Sequence, residues 1–216
     1  MEWFPLYNSL RIALISTTIV FFFGIFMANW VAKQRPMVKG FFDAILLLPL
    51  VLPPTVVGWL LLMVLSPNRP LGALFGGGLT MTWWSAIFAT IAVSFPLFYR
   101  TVRGSFEAMD VTVLQAGRTL GLSDRFLFWQ VQLPMCKQGI LAGLVLAFAR
   151  ALGEYGATAM VAGYTPNRTA TIATTVYQLW RTGEDGQAWA WVGVNMAIAL
   201  VFLLALQWIE HRRETL

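Results

Sequence analysis

The sequence predicts an all-α polytopic membrane protein with about five transmembrane helices. Three observations predict it. Of 216 residues, 58% are hydrophobic and only 12% are charged. A soluble domain carries roughly 25% charged residues, so lipid is the implied solvent. The apolar residues also fall in runs of about 20, the length that crosses a bilayer as a helix. Finally, no segment alternates as a barrel strand does, and backbone polar groups in lipid must be satisfied by a helix or a closed barrel.

The expected spans are Ile12–Ala32, Phe41–Leu65, Trp83–Tyr99, Gly139–Gly163 and Ala188–Trp208, all in one transmembrane unit covering residues 1–216. The N-terminal MEWFPLYNSLR has no basic region and no small-x-small cleavage site, so the first span is expected to be retained. The second span contains Pro49, Pro53, Pro54 and Gly58. Proline removes a backbone donor, so this helix is expected to kink or unwind near mid-membrane. It is either an ordinary Pro-kinked span or a helix lining a solute pathway.

Lys and Arg set the expected orientation. Lys33, Arg35, Lys39, Arg100, Arg103, Arg118, Arg125, Lys137, Arg212 and Arg213 lie in one set of loops. Arg11, Arg69, Arg168 and Arg181 lie in the other. Ten against four places the N-terminus outside, the C-terminus in the cytoplasm and the 100–137 segment in the cytoplasm. The net charge of +5 therefore belongs to loops beside anionic lipid headgroups, not to a nucleic-acid face. A single Cys136 and a single His211 exclude an internal disulfide framework and a His-rich metal site.

The segment Arg100–Lys137 is a polar island in this apolar chain. Thr112–Leu120 can form a short helix with Val113, Ala116 and Leu120 on one face. Gly121 is expected to end it, because glycine enters the left-handed C-cap conformation freely. Ser123 can cap a second helix, with Asp124 favourable in its first turn. That helix carries Phe126, Phe128, Trp129 and Val131, and Pro134 is expected to stop it. Such a pair either lies on lipid headgroups or inserts into a groove on a partner.

These residues resemble the cytoplasmic coupling loop of importer-type permeases of ATP-binding-cassette (ABC) transporters. That loop reads Glu-Ala-Ala, three residues, Gly, nine residues, Ile, one residue, Leu-Pro. Gln115-Ala116-Gly117, Gly121, Val131 and Leu133-Pro134 match its spacing throughout. Gln115, Gly117 and Val131 depart from Glu, Ala and Ile. The missing Glu removes any salt bridge that relatives make there. PLVLPPTVVGWLLLMVL, SFPLFYRTVRGSFEAMD, LAFARALGEYGATAMVAG and TPNRTATIATTVY further resemble the molybdate permease subfamily, over nearly the whole chain. The resemblance implies a MetI-like type I permease fold in the bacterial inner (plasma) membrane. It implies a homodimer amid membrane lipids, a cytoplasmic ABC ATPase dimer gripping the Gly121 loop, and a periplasmic or lipid-anchored oxyanion-binding protein.

The chain has no G-x-x-x-x-G-K-[ST] phosphate loop, so ATP hydrolysis would fall to a partner. Gly76-Gly77-Gly78 is read as a flexible outer turn. No catalytic, cofactor-binding or metal-ligating residues are assigned. Arg150 and Glu154 lie one helical turn apart inside the fourth expected span, with Arg150 about 16 Å from its start at 1.5 Å per residue. A charge at that depth costs at least ~2.5–3.5 kcal/mol, so the two are expected to pair. They either lock the helix structurally, or set Arg150 to meet an anion's charge with Glu154 restraining it, although a tight fixed site would slow release, or couple loop movement to a gate. Thr55, Ser85, Ser94, Thr158 and Asn195 are the candidate polar residues of a pathway.

The leading expectation is the permease subunit of an ATP-driven molybdate importer. Sulfate, thiosulfate or tungstate is the alternative cargo. A membrane anchor for a cytoplasmic protein and an ATP-independent channel are the other classes. Broken Pro-rich spans and intramembrane charges argue against the anchor, and the Gly121 hairpin argues against the channel.

Overall fold

The structure, a computed structural model, describes residues 3–75 and 78–214, with the backbone alone for residues 70, 71 and 205–214. Among the described residues all regular structure is helical. Three helices are long and apolar enough to cross a membrane, and two sharply bent pairs bring the count to as many as five.

Helix α1 (Phe4–Ala32) begins eight residues before the expected span, where Pro5 fits the first turn. Helices α2 (Pro36–Val51) and α3 (Pro54–Leu65) replace the single kinked span, with a bend of 112° between them. Pro49 is accommodated inside α2. The break comes at Leu52 and Pro53, which adopt ψ 143° and 138°. Each precedes a proline, whose ring excludes the helical conformation from the residue before it. A short α4 (Pro70–Leu74) follows. Gly76 and Gly77 of the expected flexible turn lie outside the described residues.

Helix α5 (Trp83–Ala108) starts where expected, capped by Thr82, whose hydroxyl accepts from the Ser85 N–H at 3.4 Å. It runs nine residues beyond Tyr99, so the first part of the polar island is the end of this helix. Next come α6 (Val111–Thr119), α7 (Asp124–Leu127), a π-helical turn (Phe128–Gln132) and α8 (Leu133–Met135). Pro134 does not stop the helix. The π register, with the Leu133 N–H donating to the Phe128 carbonyl, accommodates the residue that lacks a donor, and the chain bends by 70° only at Cys136.

The expected fourth span is not one helix. Helix α9 (Lys137–Leu152) ends, Gly153–Tyr155 leave helical geometry, and α10 (Gly156–Val161) follows. Helix α11 (Ile172–Arg181) carries a capping box between Thr171 and Thr174. Helix α12 (Asp185–Glu214) is longer than expected at both ends.

Helices α1, α5 and α9 form the bundle. One buried cluster gathers Val20, Phe98, Tyr99, Val102, Ile140 and Ala147; the other gathers Ile12, Val57, Ile87, Ala157 and Val161. Small residues set the spacing: Gly24 and Gly143 both lie directly against the Phe98 ring. Lipid is as apolar as these side chains, so close packing rather than water exclusion holds such helices together. Helix α12 packs chiefly on α11 and touches α9 through Phe202 and Phe148, at 4.8 Å between rings.

Candidate functional site

The hairpin at one end of the bundle is built by its turn. Asp110 caps α6, its carboxylate accepting from the Thr112 N–H at 2.9 Å. Hydrogen bonding to the charged form holds this carboxyl below the usual carboxylate range. At the other end of α6, Gly121 takes φ 80°. The Gly121 N–H donates to the Arg118 carbonyl (2.9 Å) and the Leu122 N–H to the Gly117 carbonyl (3.1 Å), the Schellman pattern. Ser123 then caps α7 by accepting from the Phe126 N–H at 3.3 Å. Arg118 and Asp124 join the two helices at 2.8 Å. The expected caps therefore form.

The third residue of the loop pattern lies where the two short helices meet. A Cβ on Gly117 would lie 2.4 Å from Leu127 Cδ2, so α6 and α7 touch at that point. Gln115, Ala116, Leu120 and Pro134 are exposed, while Val131 and Leu133 are half-buried. Leu120 is 80% exposed and Trp129 60%. A short polar hairpin thus presents bulky apolar residues outward. The expected face of Val113, Ala116 and Leu120 is open rather than folded onto the bundle. The hairpin is anchored through Cys136, whose thiol donates to the Ser105 carbonyl at 3.4 Å and is pushed above its ordinary pKa by burial.

Close to this end lies a charge cluster that loop counting does not reveal. Asp43 of α2 meets Arg103 of α5 and accepts from the Tyr99 hydroxyl at 2.6 Å. Lys39 pairs with Glu107, which also lies 3.5 Å from Arg103. The signal in the sequence is Asp43, an acid inside an apolar run. With α5 extended to Ala108, Arg103 and Glu107 share one helical face at i,i+4 and clasp α2 to α5.

The two helix breaks meet. A Cβ on Gly156, at the start of α10, would lie 2.9 Å from Pro54 Cβ. One on Gly58 would lie 2.9 Å from Ala157 Cα and 2.7 Å from Met160 Cβ. Pro53 and Pro54 are exposed, and Pro49 is half-buried within α2. At the second break Arg150 Nη1 lies 2.6 Å from Glu154 Oε2. The pair forms as expected, but it spans a break and is not intrahelical. Glu154 Oε1 accepts from the Ala157 N–H at 2.7 Å, so the carboxylate caps α10. Arg150 sits in the last turn of α9 and Glu154 beside the first turn of α10, where each charge suits the helix dipole.

Three of the five candidate pathway residues are spent internally. Ser85, Ser94 and Thr158 are buried, and Ser85 and Ser94 donate to the carbonyls of Val161 and Thr90 at 3.1 and 2.6 Å. Thr55 is exposed and Asn195 is half-buried. Sequence reading missed Asn8 and Ser9. Buried in α1, they bind the Ala170 carbonyl and the Ile172 N–H, each at 2.8 Å, and stitch the loop before α11 to the bundle. Two adjacent polar residues in an apolar helix are the signal.

An α-helical membrane component with bent spans and an outward-facing hairpin is the class defined by this arrangement. The chain belongs to the family of binding-protein-dependent transport system inner membrane components, whose model matches residues 20–215. Within it, the chain is similar to the molybdenum transport system permease protein ModB of Escherichia coli (strain K12). The two are 37% identical, over 97% of this chain and 94% of that protein. The sulfate transport system permease protein CysW of a Synechocystis strain is 31% identical over 93% of this chain but only 74% of its own. Among solved structures, a bacterial ABC transporter involved in the import of the acidic polysaccharide alginate matches with a TM-score of 0.78 at 19% identity. The match covers 97% of this chain and 78% of that one. The fold is that of an ABC transporter permease.

Proposed function

We propose that this chain is the subunit through which an ATP-driven ABC importer passes molybdate into the cytoplasm. The observation that carries this reading is whole-length similarity to a molybdenum permease, in a chain that also presents the α6–α8 hairpin outward. In this reading a cytoplasmic ATPase dimer grips Gln115, Ala116, Gly117, Gly121, Val131, Leu133 and Pro134. A periplasmic or lipid-anchored binding protein delivers the oxyanion to the opposite face of a homodimer. The N-terminus is outside and the C-terminus inside. Sulfate is the weaker reading, because the sulfate relative is less similar and longer. Tungstate has the charge and nearly the size of molybdate and shares the first reading.

The same geometry supports a coupling route. Helix α9, of 16 residues and about 24 Å, is a rod between the hairpin and the Arg150–Glu154 break. A push on the hairpin is delivered along that rod to the break, where Gly156 packs on Pro54.

The test is ATP-dependent uptake of labelled molybdate into proteoliposomes holding this chain, its ATPase and its binding protein. Uptake that requires all three components is expected, and uptake without ATPase or none at all overturns the reading. Gly121→Asp should lose both ATPase co-purification and import. A Gly121→Asp complex that assembles and imports normally removes the docking assignment.

A further inference from the structure

The Arg150–Glu154 pair is unequal, and the inequality carries information. The Glu154 side chain is 1% exposed; Oε1 accepts from the Ala157 N–H at 2.7 Å, and Oε2 makes only the ion pair with Arg150, without hydrogen-bond geometry. The Arg150 side chain is 31% exposed and engages its acid through Nη1. A guanidinium has five N–H donors in a planar fork, so a contact through Nη1 leaves donors available for another acceptor. The open side of a half-buried guanidinium at this depth cannot face lipid without a cost of at least ~2.5–3.5 kcal/mol. Its open side therefore faces a polar route or protein.

The direction is fixed by its neighbours. Phe148 lies two residues earlier, on the opposite edge of α9, and packs on Phe202 of α12. Arg150 thus points away from α12. The adjoining residues are Gly153, exposed at the break, and Glu154, two residues before the Gly156 that lies on Pro54. The other cations on or beside the spans lie elsewhere. Arg11 stacks on Trp83, at the start of α5, and Arg103 is taken by Asp43 and Glu107 at the other end of that helix. Arg181, in the last turn of α11, lies near Tyr155 of the second break, but it is exposed and on a separate helix. Arg150 is the cation on the broken span itself, paired with the carboxylate at the break.

We propose that Arg150 is the residue of the pathway that contacts the passing tetrahedral oxyanion, and that Glu154 is its built-in competitor. This rests on the permease reading above. An anion entering low dielectric needs a cation, but an unopposed buried arginine would hold a dianion too tightly to release it. Glu154, fixed by the Ala157 N–H, stays in place while Arg150 exchanges between it and the anion. The acid thereby keeps affinity low enough for passage.

The test uses the transporter assembled with its ATPase and binding protein in proteoliposomes. ATP-dependent molybdate uptake is measured alongside ATP hydrolysis for Arg150→Gln, Glu154→Gln and the double variant. Arg150→Gln should hydrolyse ATP yet import at least tenfold less. The double variant should import far less than Glu154→Gln alone. A purely structural pair predicts instead that the double variant recovers relative to Arg150→Gln, because only Arg150→Gln leaves a buried carboxylate unpaired. Recovery in the double variant therefore overturns the proposal. A second measurement covers poor assembly of Arg150→Gln. Arg150→Cys is placed in a Glu154→Gln, Cys136→Ser background and treated with a 2-aminoethyl or a methyl thiosulfonate. Rescue by the cationic reagent alone is expected, and equal rescue by the neutral one overturns it. Absence of molybdate uptake by the wild type sinks the permease reading itself, whereas normal uptake by both Arg150 and double variants sinks this inference only.

Discussion

At the scale of single residues, Asp110 and Glu154 do the same job in different media. Each carboxylate caps a helix by accepting a backbone N–H, from Thr112 and from Ala157. Asp110 is solvent-exposed and its folded pKa is lowered by that bond. Its stabilisation of α6 is present above the unfolded carboxylate pKa and is lost as pH falls through the lowered folded value. Hydrogen exchange of the first α6 amides, corrected for intrinsic rate, should lose protection at acid pH in the wild type. The Asp110→Ala variant should show less protection at neutral pH and no such further loss. Glu154 is buried and also paired with Arg150, so Glu154→Gln removes a charge that the break is built around. Several-fold lower ATP-driven uptake is expected in vesicles, and unchanged uptake removes the coupling role of the pair.

At the scale of elements, close approach between broken helices does what regular helix packing does elsewhere. Helices α3 and α10 pack along Gly58, Gly156 and Ala157. A side chain on Gly58 meets backbone, which cannot rotate away. Gly58→Leu should therefore destabilise the protein by about 1–3 kcal/mol, read as a lower unfolding temperature in detergent. Gly40→Ala, in α2 with open space around it, should not lower that temperature. The helices themselves were legible from apolar run length, and the hairpin from Gly121, Ser123 and Asp124. The failures share a cause. Run length does not register a break such as Gly153–Tyr155, because those residues sit in an apolar run and are broken by a carboxylate–backbone bond. Nor does it register that α5 continues past Tyr99, since helical geometry does not end where apolarity does.

At the scale of the whole molecule, the Lys and Arg asymmetry predicts sidedness. In a Cys136→Ser background, Gln115→Cys should react with an impermeant thiol reagent in inverted vesicles but not in right-side-out ones. Glu184→Cys should do the opposite. Matching reactivity in both preparations would overturn the orientation. Those two positions lie at opposite ends of the bundle, with the hairpin beyond α5 and the α11–α12 turn beyond the Asn8 and Ser9 stitches. The sequence by itself determined an all-helical membrane chain, the hairpin and its family spacing, because run length, caps and turn glycines are local. Only the tertiary structure decided that the two proline- and glycine-bearing breaks touch, that Asp43 clasps Arg103, and that Arg150 is the open member of its pair. Those facts depend on which surfaces the packed helices bring together across distances the linear chain does not encode locally.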